Sequence, residues 1–139
     1  MGYTPGSDRN TPDVTSDARS DINQLQETLR QFAAARDWEQ FHNPKNLILA
    51  LVGEVGELAE LFQWLTPEQS VGLITDACKR EQVAHELADV FAYLLRLADV
   101  LGVDLAEALR EKIAVNEKRY TVVRARGTSK KYTELQEDA

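Results

Sequence analysis

Hydrophobic positions recur every three or four residues through most of the chain, and that spacing predicts helices. Ile22, Leu25, Leu29 and Phe32 step at 3-4-3, giving a first helix from about Asp21 to about Trp38. Asn43-Pro44 interrupts the pattern, and Pro44 suits the first turn of a second helix from about Lys45 to about Trp64. Thr66-Pro67 closes that helix, and a short helix over Pro67–Ile74 fits inside the mixed connection 66–80. A third helix runs from about Arg80 to Leu101 and stops at Gly102, suited to the left-handed residue after a helix. Asp104 caps a fourth helix to about Tyr120. No segment alternates as a strand would, and no repeat is present. The expected fold class is all-α, a four-helix bundle over 19–122. Residues 1–18, rich in Gly, Pro, Ser, Thr and Asp, are expected to form a disordered tail, and 123–139 a polar, extended or mobile one.

Composition narrows the partners. Hydrophobic residues make up 43% and charged residues 28% of 139, ordinary for a globular domain and enough to bury a sizeable core. A formal net charge of -7 leaves no basic footprint for a nucleic-acid polymer. Free nucleotides stay compatible, because a bound metal ion inverts the sign of a local site. The single cysteine, Cys78, can make no internal disulfide and is expected to be a free thiol. There is no apolar run of membrane-spanning length, and the first residues lack the apolar core of a signal peptide. The expected compartment is the cytoplasm.

Two helices carry acids where apolar residues belong. Along the second, Leu47, Leu51, Glu54, Leu58 and Leu61 form one packing stripe with Glu54 in its middle. Glu57 lies three residues on, on the same face. In the third, Val83, Leu87, Val90, Leu94, Leu97 and Leu101 form one apolar stripe, and Ala84, Ala88, Phe91, Leu95 and Ala98 another. Glu86 and Asp89 are its exceptions, again three apart. Neither pair has a Lys or Arg at i±3 or i±4. Four carboxylates brought together between packed helices are costly without a counter-charge, and a hard divalent cation with oxygen ligands, Mg²⁺, resolves the conflict. One nearby imidazole, His85, is too few for a zinc site. The competing reading is a pair of solvated acidic faces.

At this point the sequence resembles a known family. The pairs Glu54-x-x-Glu57 and Glu86-x-x-Asp89, with the words FAAARDWEQFHNPKNLILALVGEVGELAELFQW and ELADVFAYLLRLADVLGVDL, the run Lys112…Asn116…Arg119-Tyr120 and the terminal SKKYTEL, are similar to the all-α nucleoside triphosphate pyrophosphohydrolases, the MazG-like superfamily, in its dCTP pyrophosphatase branch. The resemblance spans roughly residues 22–135. It implies Mg²⁺-dependent hydrolysis of a nucleoside triphosphate, dCTP or a modified dCTP, to the monophosphate and pyrophosphate, a nucleotide-pool cleansing role. It also implies that Glu54, Glu57, Glu86 and Asp89 hold the metal. Glu57 and Glu54 are the candidates for taking the proton of the attacking water.

Lys112, Asn116 and Arg119 share a face of the fourth helix; the first two match family positions that contact the nucleotide, and Arg119 suits phosphate as well. Trp38 and Trp64 resemble base-pocket residues, His42 is a candidate substrate contact, and Tyr93 is expected beside the deoxyribose. Leu29 stands where some members of the branch carry a pocket histidine, which leaves the base preference open. The greasy third helix implies burial against further copies, and the branch implies a homotetramer, a dimer being the alternative. Two rival functions remain. A di-iron carboxylate bundle would want ExxH motifs supplying imidazole, and the two acidic pairs here are ExxE and ExxD instead. A non-catalytic helical oligomer or partner-binding module would have no reason to keep four acids on core-like faces.

Overall fold

The computed structural model describes residues 14–137, with side chains over 21–135. Seven α-helices follow in order: α1 (Val14–Ala34), α2 (Pro44–Glu60), α3 (Pro67–Gly72), α4 (Ala77–Leu101), α5 (Leu105–Arg119), α6 (Val122–Ala125) and α7 (Tyr132–Glu137), with 3₁₀ turns at Glu39–Phe41 and Leu73–Thr75. The described residues contain no strand, as the periodicity predicts.

Local chemistry sets the boundaries. Asn43 Oδ1 accepts from the Asn46 N–H at 3.0 Å, with Pro44 at the first helical position of α2. Thr66 and Gln69 exchange bonds in a capping box that starts α3. Asp76 Oδ1 accepts from Lys79 N–H at 3.0 Å, so α4 begins at Ala77, ahead of the expected Arg80. Gly102 ends α4 at φ 66°, a left-handed conformation that a β-carbon would strain. Asp104 Oδ1 accepts from Glu107 N–H at 2.9 Å and opens α5.

Packing is organised around α4, against which α2 lies along its length and α1 more lightly. The buried apolar residues are Ala33, Leu47, Val83, Leu95, Ala98 and Leu135. This is a thin core, and much of what the sequence marks as packing surface stays exposed: Leu49, Val52 and Val55 on α2, and Leu87, Phe91 and Leu101 on α4.

Both ends depart from the expected tails. α1 reaches back to Val14, so 14–18 are helical, while 1–13 of the expected tail lie outside the described residues. Beyond α5 the polar segment does not run extended up to residue 137. It forms α6 and α7, buries Leu135, and sets Tyr132 against Tyr120 edge-on at 6.2 Å. No helix among the described residues is long and apolar enough to cross a membrane.

Candidate active site

The two acidic pairs meet because α2 and α4 pack together. Glu54, Glu57 and Glu86 each bring a carboxylate oxygen within 4.8 Å of the others. Burial holds the Glu54 carboxyl above the usual range, and the charges of Glu57, Asp89 and Glu86 add to that effect. Glu86 Oε2 is buried without a hydrogen-bond partner. An orphaned oxygen, a carboxyl pushed up by desolvation and like charges, and an all-oxygen donor set are together what a hard cation relieves. The donors present thus fit Mg²⁺. Asp89 stands one turn after Glu86, near enough to act on Glu54, and its side chain also lines the adjoining cavity.

That cavity, about 280 Å³, lies between α1 and α4 and is walled by Leu29, Phe32 and Ala33 from α1, Trp38 and His42 from the connection, and Asp89, Ala92, Tyr93 and Arg96 from α4. It is at the small end for a small-molecule site, the scale of a base rather than a whole nucleotide. Trp38 reaches it through the turn that ends α1. Its N–H donates to Ala33 O at 3.0 Å, six residues closing the turn, with Asp37 left-handed at φ 55°. Gln40 Nε2 donates to both the carbonyl and the carboxylate of Asp37 at 2.9 Å, which steadies that conformation. Trp38 then meets Phe32 edge-on at 5.8 Å, and the Arg36 guanidinium covers Phe32 at 3.5 Å.

Of the residues expected at the site, Glu54, Glu57 and Glu86 form the acidic cluster, and Asp89, Trp38, His42 and Tyr93 join the cavity beside it. Trp64 stands apart, 86% exposed. Lys112, Asn116 and Arg119 ride on α5, which packs on neither α2 nor α4 extensively, and Arg119 lies over the Tyr132 ring at 5.8 Å. Arg96 has no place in the expected set, yet it is 8% exposed in the cavity wall. Its Nε donates to His42 Nδ1 at 3.1 Å, and its Nη1 donates to Asp99 Oδ2 at 2.9 Å. Asp99 is held in turn by Arg30 of α1 at 2.6 Å, and these bonds, that from Arg30 foremost, keep its carboxyl below the usual range. A cation in the run LLRLAD was the available signal for Arg96.

Comparison with known proteins agrees with this geometry. Residues 50–135 match the MazG-like family. The chain is 52% identical over 105 residues to "dCTP pyrophosphatase 1" of Homo sapiens, covering 76% of this chain and 62% of that protein. Identity to the proteins of the same name from Bos taurus and Mus musculus is 50% over the same length. The chain thus matches less than two thirds of these relatives' length. A crystal structure of a pyrophosphatase from Archaeoglobus fulgidus DSM 4304 superposes with a TM-score of 0.68 at 36% identity, covering 72% of this chain and 92% of that one.

Proposed function

The chain belongs to the MazG-like family, and from that premise we propose that it is a Mg²⁺-dependent nucleoside triphosphate pyrophosphohydrolase, converting dCTP or a modified dCTP to the monophosphate and pyrophosphate. The observation that carries this reading is the juxtaposition of a three-carboxylate cluster with a base-sized aromatic cavity, linked by Asp89. The names of the relatives point the same way.

Glu54, Glu57, Glu86 and Asp89 would hold the metal. When bound there, Mg²⁺ supplies charge neutralisation of the triphosphate and acidifies the attacking water. The chain's own groups do the rest. Trp38 and Phe32 offer aromatic faces for the base, Tyr93, which lines the same cavity as Asp89, would pack against the deoxyribose, and apolar Leu29, Ala33 and Ala92 would keep water from the base. Glu57, the exposed member of the cluster, and Glu54 beside it are the two candidates for taking the water's proton.

The oligomer belongs to the same reading. The exposed apolar residues of α2 and α4, with the apolar groove of Val55, Leu58, Ala59, Phe62, Val83 and Leu87 between them, support assembly as a homotetramer, or at least a dimer. Trp64, Lys112, Asn116 and Arg119, apart from the acids within one chain, are then available to a site completed between copies. A cytoplasmic, pool-cleansing role follows from the substrate class.

Incubation with dCTP and Mg²⁺ tests the reading. Pyrophosphate and dCMP are the expected products. Orthophosphate release would assign a different phosphohydrolase, and absence of turnover across a nucleotide panel would favour a non-catalytic helical oligomer.

A further inference from the structure

Arg96 is a cation buried in the wall of a cavity whose lining, Asp89 and His42 apart, is aromatic and aliphatic. Burying a guanidinium is costly unless its donors are used, and here they are used in a specific way. One donor meets Asp99, itself tied to Arg30 on α1. Another meets Nδ1 of His42. A guanidinium nitrogen can only donate, so Nδ1 must offer its lone pair. A neutral imidazole that accepts at Nδ1 carries its proton at Nε2, and an imidazolium would set N–H against N–H. Burial, with the Arg96 charge behind it, accordingly lowers the His42 pKa. The network Arg30–Asp99–Arg96–His42 thus joins α1, α4 and the connection before α2 around one side of the cavity.

We infer that Arg96 is a positioning residue for base recognition: it fixes His42 as the Nε2–H tautomer, so that the cavity presents a hydrogen-bond donor to the acceptor edge of a cytosine-type base. This rests on the pyrophosphohydrolase reading above. Cytosine offers O2 and N3 as adjacent acceptors. Thymine and uracil carry a proton on N3, which would oppose His42 Nε2–H. Discrimination comes from the mismatched pair left without water in a small cavity as much as from the matched one.

The experiment joins a structural and a kinetic readout on the full chain. Two-bond ¹H–¹⁵N spectra of the ligand-free protein at neutral pH are expected to show His42 protonated at Nε2 and bare at Nδ1. His42→Gln assigns the signal, since the chain has two histidines. Arg96→Met is expected to mix the tautomers and raise KM for dCTP by roughly tenfold, the loss of one good hydrogen bond, with a much smaller effect on kcat. The dCTP:dTTP ratio of kcat/KM falls accordingly, and Arg96→Lys, which keeps a donor, recovers part of both changes. A wild-type His42 protonated at Nδ1 overturns the inference without any variant. So does an Arg96→Met enzyme that keeps its base preference, or one that loses dCTP and dTTP turnover equally, which would mark a purely structural role. A wild-type protein that hydrolyses no nucleotide overturns the functional reading and the base-recognition claim with it; the spectra still decide whether Arg96 sets the tautomer.

Discussion

Glu54 on α2 and Glu86 on α4 hold carboxylate oxygens within 4.8 Å of each other, and Glu86 keeps one oxygen buried with no partner. Without a cation this is a repulsive contact inside the main helix pair. Glu54→Gln or Glu86→Gln is therefore expected to abolish Mg²⁺-dependent hydrolysis while raising the metal-free melting temperature, by a few degrees for about 1 kcal/mol of relieved repulsion. The Mg²⁺-induced rise in melting temperature should disappear in both variants. Calorimetry with and without Mg²⁺ checks this; a lower metal-free melting point would show that the carboxylates serve as structural partners instead.

Glu54 and Asp99 respond to pH with opposite signs. The Glu54 pKa is raised in the folded chain, so its contribution is complete below its unfolded value of 4.5 and is lost as pH rises through the folded one. The Asp99 pKa is lowered, so its contribution is complete above 3.8 and is lost as pH falls through the folded value. Asp99→Asn should cost about 1–3 kcal/mol near neutral pH, because buried Arg96 loses its carboxylate, and the cost should shrink below about pH 3.8. Urea titrations of wild type and variant across pH 2–7 measure that difference; a penalty that does not change with pH would refute the ion-pair account.

Tyr93 lines the cavity one turn after Asp89. Packed against the sugar, its ring would leave no room for a 2′-hydroxyl. In Tyr93→Ala the preference for dCTP over CTP is expected to fall by roughly tenfold, the scale of one lost pocket contact. Competition assays with the two nucleotides give the ratio, and an unchanged value would remove Tyr93 from sugar discrimination.

Leu49 and Val52 are each 63% exposed on α2. In a lone chain, Leu49→Glu or Val52→Glu would alter stability by no more than about 0.5 kcal/mol. If α2 packs on another copy, either change places a charge in an apolar interface, and the expected result is a smaller particle with a reduced melting temperature. Light scattering decides between the two outcomes.

Much of this site is legible in the sequence because its chemistry contradicts its pattern. Glu54, Glu57 and Glu86 stand out as acids on apolar stripes, and a period of 3.6 is enough to show that each pair shares a face. Asp104 and Gly102 likewise announce their turn. Arg96 escaped because a cation on a helix is usually solvated, and its place in the cavity wall depends on His42 arriving from 54 positions away. The placement of Trp38 depends on Asp37 taking a left-handed turn that glycine normally marks. The folding of the C-terminal segment rests on Tyr120 meeting Tyr132, twelve residues on, which no periodicity encodes. Phe32 reads as one of the packing positions of the first helix, and within one chain it walls a cavity instead.

That cavity is a gap in the seam between α1 and α4, a seam that the Arg30–Asp99 bridge and the Gln26 bond to the Leu95 carbonyl also hold. A base seated there touches both helices at once and supplies the side-chain volume that the seam lacks. On the proposed reading the substrate would act as an interchangeable core residue, and the backbone amides of α1 are expected to exchange more slowly with solvent when a nucleotide is bound.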